Sequence, residues 1–217
     1  MNSQIKSKAR VRDYGEVFTP DFIVNDMLNL VRQETERIES RFLEPACGNG
    51  NFLAEVLRRK LEVVKNRYKK SQFEYERYAI IAISSIYGID ILEDNIKECQ
   101  QRLFDIFDTE YTQLLKKECN EKYRQSVKYI LEKNIILGDA LTLKTVDEKD
   151  PIVFAEWSAI NGTLIKRRDY TLANLLENQP IDEPNLFSDL GDKAFIPVPV
   201  AEFPPVHFLE ISTAHEQ

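Results

Sequence analysis

The chain has 217 residues, 43% of them hydrophobic, and a formal net charge of −7. This length allows one good-sized core, or one domain with an appendage. No run of 18 apolar residues occurs, so no membrane-spanning helix and no membrane partner are expected. The negative net charge is unfavourable for a chain that must hold DNA unaided.

Two further features bear on the compartment. Residues 1–12 are polar and basic, without the apolar stretch of a signal peptide. The three cysteines, Cys47, Cys99 and Cys119, lack the spacing of a metal site, and their number is odd. We therefore expect a reduced, cytoplasmic protein without a metal.

The first predicted elements alternate between helix and strand. Asp21 opens an amphipathic pattern that continues to Ile38 and predicts a helix. Phe42-Leu43 is a short apolar segment and the first predicted strand. Residues 51 to about 70 have apolar positions at helical spacing, which predicts the next helix.

The alternation continues to residue 157. Apolar spacing predicts three more helices, over 74–85, 93–107 and about 112–133. Apolar runs of strand length predict three more strands, over 86–91, 134–137 and 152–157. Such β-α-β alternation predicts an α/β fold with a doubly wound, mostly parallel sheet.

The C-terminal part has a different composition. Six prolines lie between Pro180 and Pro205, among acidic residues and short apolar patches, so continuous regular structure is not expected. We divide the chain into a domain over 1–160 and a C-terminal extension over 161–217. The extension is interpreted as an irregular docking or wrapping arm.

The most informative segment runs from Phe42 through Glu44 and two glycines, Gly48 and Gly50, into the helix that follows. A strand–glycine loop–helix unit lets the backbone approach a ligand closely at the carboxyl edge of a sheet. Glu44 precedes the loop, where its charge repels a pyrophosphate and attracts an amine. These residues favour a cationic ligand such as S-adenosylmethionine over a dinucleotide.

Glu44-Pro45-Ala46-Cys47-Gly48-Asn49-Gly50-Asn51-Phe52 resembles motif I of the S-adenosylmethionine-dependent DNA adenine-N6 methyltransferases. Three further segments resemble motifs X, II and III of that family. They are Gly15-Glu16-Val17-Phe18-Thr19-Pro20, Tyr87-Gly88-Ile89-Asp90-Ile91 and Leu137-Gly138-Asp139-Ala140-Leu141. The order X, I, II, III is that of restriction-modification enzymes, and the segments cover residues 15 to about 143.

The resemblance implies the Rossmann-like fold of class I methyltransferases and S-adenosylmethionine as the cofactor. Glu44 would receive the methionine amino group, Asp90 the ribose hydroxyls and Asp139 the adenine amino group. Ile91 would pack on the adenine, and Phe18 and Thr19 would close the methionine end. The residues implied to bind the cofactor are Phe18, Thr19, Glu44, Ala46, Gly48, Gly50, Asp90, Ile91, Asp139 and Ala140.

One part of the family pattern is missing. The family contacts the flipped adenine through Asn/Asp-Pro-Pro-Tyr/Phe after the fourth strand, whereas here Ser158-Ala159-Ile160-Asn161 follows residue 157. The nearest imitations are Asn178-Gln179-Pro180-Ile181 and Phe203-Pro204-Pro205-Val206. The catalytic residues therefore stay unassigned, and no room is left for the family's target-recognition domain.

Three interpretations stay open. The first is a DNA adenine-N6 methyltransferase subunit of a restriction-modification or phage-defence system, whose partner protein supplies base contacts and DNA recognition. The second is a cofactor-binding or scaffolding subunit without transferase activity. The third is a methyltransferase for a substrate other than DNA.

Few residues are candidates for direct contact with DNA. The basic clusters Arg58-Arg59-Lys60 and 65–70 are typical of a solvated helix face, and Lys166-Arg167-Arg168 is the more interesting third cluster. Trp157 and Tyr170 are possible base-stacking rings, although packing in a core explains such residues more readily.

Overall fold

A computed structural model of the chain describes residues 5–176 and 197–214. Its strands form two separate sheets. The strands are β1 (Phe42–Glu44), β2 (Ile86–Asp90), β3 (Ile135–Leu137), β4 (Val153–Asn161), β5 (Leu164–Thr171), β6 (Ala201–Glu202) and β7 (Val206–His207). The helices are α1 (Lys8–Tyr14), α2 (Asp21–Leu30), α3 (Arg32–Thr35), α4 (Asn51–Tyr68), α5 (Gln72–Ser84), α6 (Glu93–Leu115), α7 (Glu121–Asn134), α8 (Leu172–Leu176) and α9 (Ile211–Ala214), with a 3₁₀ turn at Lys116–Glu118.

The first sheet is parallel, with the order β1-β2-β3. The crossover from β1 to β2 contains α4 and α5, and that from β2 to β3 contains α6 and α7. Crossovers of this kind are right-handed almost without exception, so two in the same direction place their helices on the same face of the sheet. The predicted β-α-β alternation is confirmed as a mixed α/β fold.

The two faces of the parallel sheet contact different layers. Ile86 and Ile135 point into the main core, which α2, α4, α5, α6 and α7 also supply. Tyr87 and Ile89 point to the opposite face, where they form a smaller core with Phe154. On that face the Tyr87 hydroxyl donates to the backbone oxygen of Ala155 at 3.0 Å.

The predicted fourth strand exists but does not extend the parallel sheet. β4 pairs antiparallel with β5, and the turn between them uses Gly162 at φ 48°. A parallel partner requires a long crossover, whereas residues 162–163 only permit a hairpin. The parallel sheet of the described residues therefore has three strands, β1, β2 and β3, and the hairpin of β4 and β5 belongs to a separate antiparallel sheet.

The C-terminal residues pack back onto this hairpin. β6 and β7 both pair antiparallel with β5, and Phe208 and Ile211 are buried in the main core. The domain boundary predicted after residue 160 falls at the end of β4, inside the hairpin. The segment 177–196, which includes Asn178-Gln179-Pro180-Ile181, lies outside the described residues.

The helix predictions hold in kind and differ at three boundaries. The helix predicted from about residue 112 begins at Glu121, because residues 112–115 belong to the preceding helix α6. The helix predicted from Asp21 to Ile38 ends at Leu30, because Val31 leaves helical geometry at φ −117°, ψ 32°. The helix predicted to end at 107 continues to Leu115, since Phe107 and Tyr111 are both buried at helical spacing. No helix of the described residues is long and apolar enough to cross a membrane.

A buried lysine joins the helical layer to the parallel sheet. Lys60 on α4 is 0% exposed, and its Nζ donates to the Ile38 oxygen at 3.0 Å, to the Ser40 oxygen and to the Ser85 Oγ. Burial lowers the pKa of Lys60 to about 7. The three oxygens lie just before β1 and β2, so the side chain fixes the start of both strands.

We expect Lys60→Met to lower the free energy of unfolding by about 3 kcal/mol, because two backbone oxygens lose a buried donor. Lys65→Met is the control, since that side chain is 40% exposed and only pairs with Glu110; its expected loss is below about 0.5 kcal/mol. Urea unfolding at pH 7 measures both. Equal effects of the two variants would show that the buried contacts of Lys60 do not hold the strands.

Candidate cofactor-binding site

The carboxyl ends of β1, β2 and β3 border a cavity of about 460 Å³. Three segments that the sequence analysis singled out meet there with the residues before α2. Of the residues that the resemblance implies, those that line the cavity are Phe18, Thr19, Glu44, Ala46, Gly48, Asp90, Ile91, Asp139 and Ala140. The fold therefore brings together residues that are up to 122 positions apart in sequence (140 − 18).

The two loop glycines have different roles. Gly48 lies at φ 52°, and a Cβ there would come within 3.1 Å of the Phe18 ring, so glycine lets the loop approach the N-terminal segment. Gly50 lies at φ 83°, and a Cβ would meet Cys99 Sγ at 2.6 Å. Gly50 does not line the cavity. Its lack of a side chain allows the start of α4 to pack against Cys99 on α6.

Asp90 fixes the glycine loop. Its Oδ2 accepts from the Gly48 N–H at 2.9 Å, and its Oδ1 accepts from the Leu92 N–H at 2.9 Å and from Asn95 Nδ2 at 3.2 Å. A carboxylate at the end of β2 thus ties the loop after β1 to the start of α6. Carboxylate oxygens accept more than one hydrogen bond, so a ligand hydroxyl can still be bound there.

Among the described residues, Glu44 is the buried carboxyl of this site that lacks a hydrogen-bond partner for one of its oxygens, Oε2. Burial, and then the negative charge of Asp90, raise the pKa of Glu44 to about 8. A buried carboxyl without a partner is destabilising when it ionises, and a bound cation removes that penalty.

The third acidic residue lies beside apolar side chains. Asp139 follows β3, and its Oδ1 accepts from the Leu141 N–H at 2.8 Å. Ile91 is 40% exposed and Leu141 is 95% exposed, and both line the cavity. This end of the cavity therefore offers apolar contacts together with a hydrogen-bond acceptor, which suits a planar ring that carries an amino group.

The sequence analysis missed a polar network that fastens the N-terminal segment. The Glu16 side chain is 7% exposed, and Glu16 accepts from Arg10 at 2.7 Å and from Asn95 Nδ2 at 2.7 Å. Arg10 also pairs with Asp94, and these hydrogen bonds hold the pKa of Asp94 well below its ordinary value. The signal in the sequence was Glu16 itself, an acidic residue between a glycine and an apolar pair.

No residue of α1 is buried. The helix lies against α6 through Arg10 and through Lys6 just before it, and Lys6 pairs with Asp94 and Glu98. Residues 14–19, which follow α1, line the cavity. One border of the cavity is therefore held mainly by ion pairs.

A nucleophile is not evident in the cavity. Cys47 is its one cysteine among the lining residues, and a hydrogen bond with Cys99, together with burial, raises the pKa of the Cys47 thiol far above its ordinary value. Thiols of this kind are unreactive, because the thiolate is the nucleophile.

The candidate base-stacking and basic residues have structural roles. Trp157 is buried and donates from its indole N–H to Asn134 Oδ1 at 2.9 Å. Arg167 is buried against Asp169, while Lys166 and Arg168 both pair with Glu202. Tyr170, which borders a different cavity, and Asn161, which is exposed at the hairpin end, do not line this one.

The Pro-Pro segment 203–206 likewise lies elsewhere. Phe203 packs its ring on the Arg167 guanidinium at 4.4 Å, and Val206 belongs to β7. Neither residue lines the cavity. The described residues thus supply no substitute for the missing base-contacting motif.

No protein-family model matches the chain, and no significant match was found among curated proteins or solved structures. The function must therefore be inferred from the cavity itself.

The raised pKa of Glu44 makes stability depend on pH. The folded-state pKa of about 8 exceeds the ordinary pKa of roughly 4.3, so the stability contributed by the protonated Glu44 carboxyl is complete below about pH 4 and is lost as the pH rises from there through 8. We expect Glu44→Gln to match the wild type near pH 4 and to be more stable at pH 8.5, by about 2–4 kcal/mol.

Urea unfolding at the two pH values measures this difference. Glu55→Gln is the control, because Glu55 on α4 is partly buried but forms an ion pair with Arg59; it should show no such gain at pH 8.5. A wild type that is as stable as Glu44→Gln at both pH values would show that Glu44 ionises without penalty.

Proposed function

We propose that this chain is the S-adenosylmethionine-binding subunit of a DNA adenine-N6 methyltransferase from a restriction-modification or phage-defence system. In this proposal the fold is the Rossmann-like class I methyltransferase fold. A partner protein supplies the base contacts and the DNA recognition. The protein acts in the cytoplasm, and the chain carries the motif order X, I, II, III.

The observation that carries the proposal is the unpartnered Oε2 of Glu44. An ammonium group is the ligand that such a carboxyl accepts best, because the charge pair and the hydrogen bond form where water is excluded. S-adenosylmethionine has an ammonium group and a positive sulfonium. Its positive charges fit a cavity with Glu44, Asp90 and Asp139 among its lining residues.

The remaining assignments follow from the same geometry. Asp90 would accept from the ribose hydroxyls, Asp139 from the adenine amino group, and Ile91 and Ala140 would contact the ring. Phe18, Thr19, Ala46 and Gly48 would border the methionine part. When bound, the cofactor supplies an electrophilic methyl group on sulfur, and the residues named here bind and orient it.

The need for a partner is supported by what the chain lacks in sequence and charge. It has no Asn-Pro-Pro-Tyr segment. Of the basic clusters, Lys60 is buried, Arg59 pairs with Glu55, and Lys166, Arg167 and Arg168 all pair with carboxylates. In the cluster 65–70, Lys65 pairs with Glu110, and Arg67, Lys69 and Lys70 are exposed. Because phosphate contacts need free cations and the net charge is −7, a second subunit is the better source of DNA affinity.

A cofactor-binding scaffold without transferase activity is the second candidate. The same missing segment favours it, and the acidic cavity would then serve to sense the cofactor. A methyltransferase for a substrate other than DNA is the third, and no contact of the described residues favours it.

The cofactor site is tested by calorimetric titration with S-adenosylmethionine and with adenosine. Glu44→Gln should weaken the binding of S-adenosylmethionine at least about tenfold, because one charge-assisted contact is lost, and should leave the binding of adenosine unchanged. Asp139→Asn and Asp90→Ala should weaken the binding of both ligands. If wild type binds neither ligand while folded, or Glu44→Gln binds S-adenosylmethionine as tightly, the assignment is wrong.

The transferase activity is tested with S-adenosylmethionine labelled in its methyl group and mixed-sequence DNA. The isolated chain should transfer no label. Transfer should appear when a subunit that carries Asn-Pro-Pro-Tyr is added, and it should be absent with Glu44→Gln. Methylation of DNA by the isolated chain would contradict the requirement for a partner.

A further inference from the structure

The outer edge of β1 has no neighbour among the described strands, since β1 pairs only with β2. The Phe42 N–H donates to the Ser85 oxygen, so Phe42 faces β2. Backbone groups alternate in direction along a strand, and the N–H and C=O of Leu43 therefore face outward. An edge strand of this kind presents unpaired backbone groups, which are a template for pairing with another chain.

An apolar groove lies along this edge. It has a volume of about 430 Å³ and is bordered by Leu43 and Phe42 on one side and by Phe154 on β4 on the other. Leu172, Leu175 and Leu176 also line it, and Leu43, Leu175 and Leu176 are 46%, 41% and 60% exposed. A strand that pairs with Leu43 would bury these side chains.

The groove carries a positive charge at the start of β1. Arg41 is 60% exposed and shares Glu156 with Arg168. Arg168 and Lys166 also share Glu202. Three cations thus meet two carboxylates, which leaves room for one more acidic group near Arg41.

The direction of β1 connects this edge to the cavity. β1 ends at Glu44, whose carboxyl lies in the cavity, while Arg41 lies at the opposite end of the strand. Ligands of open parallel sheets bind outside the carboxyl ends of the strands. A further strand that runs parallel to β1 would therefore deliver the residues after it to the cavity.

We propose that the outer edge of β1 binds an extended segment of a second polypeptide, parallel to β1, apolar along its length and acidic at its amino end. The segment pairs with the Leu43 backbone, fills the groove with its side chains and places its acidic residue at Arg41. The identification of this polypeptide as the subunit that contacts the base rests on the proposed function. The pairing of a strand with β1 is independent of the proposed function.

The probes are two fluorescein-labelled synthetic peptides, Glu-Val-Thr-Val-Thr-Val and the reversed sequence Val-Thr-Val-Thr-Val-Glu. Fluorescence anisotropy measures their binding to the full chain. Leu43→Pro removes the outward donor and is tolerated at an edge, whereas Leu43→Val keeps the donor and is the matched control. Thermal unfolding verifies that both variants are folded, and Arg41→Gln tests the charge.

The first peptide should bind the wild type and Leu43→Val with equal affinity, and Leu43→Pro at least tenfold more weakly. The reversed peptide and the Arg41→Gln variant should each show at least threefold weaker binding. Equal binding to Leu43→Pro and Leu43→Val, or no binding of either peptide at 1 mM, would overturn the proposal.

The experiment distinguishes two other occupants of the groove from a second polypeptide. A dimer in analytical ultracentrifugation that Leu43→Pro abolishes would show that a second copy of this chain occupies the edge. Peptide binding that appears only after deletion of 177–196 would assign the groove to this chain itself. Either result overturns the proposal.

The titration with S-adenosylmethionine is run on the same samples. Peptide binding without cofactor binding would refute the proposed function and leave the strand-binding edge in place. Cofactor binding without peptide binding would refute the strand-binding edge and leave the proposed function in place.

Discussion

Two right-handed crossovers that proceed in the same direction, from β1 to β2 and from β2 to β3, determine most of this molecule. They place the connecting helices on one face, where the large core lies, and leave the opposite face to the hairpin of β4 and β5. They also align the carboxyl ends of three strands, each followed by a loop with an acidic residue at or near its start. The cavity and the open edge of β1 are both results of this winding.

The cavity is electrostatically unfavourable while it holds no cation. Glu44 lacks a partner, and Asp90 lies near enough to raise its pKa further. Asp90, in contrast, is compensated by hydrogen bonds from the loop and from α6. One carboxylate thus holds the architecture of the loop, while the other is buried without such hydrogen bonds, and only the second costs stability when it ionises.

The sequence predicted β1 to β4, α2, α4 to α7 and nine of the residues that line the cavity, because these depend on local patterns. It did not predict β5, β6, β7, α1, α8 or α9. Strand ends, turn glycines and apolar spacing are each encoded within a few residues, as at Gly48 and Asp90. The pairing of β4 was not predictable in this way, since an apolar run does not specify its partner. The burial of Lys60 and the packing of Gly50 on Cys99 also depend on residues that are far apart in sequence.

The lack of buried residues in α1 has a consequence for exchange between the cavity and solvent. A segment held by ion pairs separates from the body of a protein at a lower free energy than one held by apolar contacts. Dissolved salt weakens pairs as exposed as Lys6–Asp94, whereas it leaves the contacts of a buried core unchanged. We therefore expect the separation of α1 from the body of the protein to depend on the ionic composition of the surrounding solution more than the stability of the buried core does.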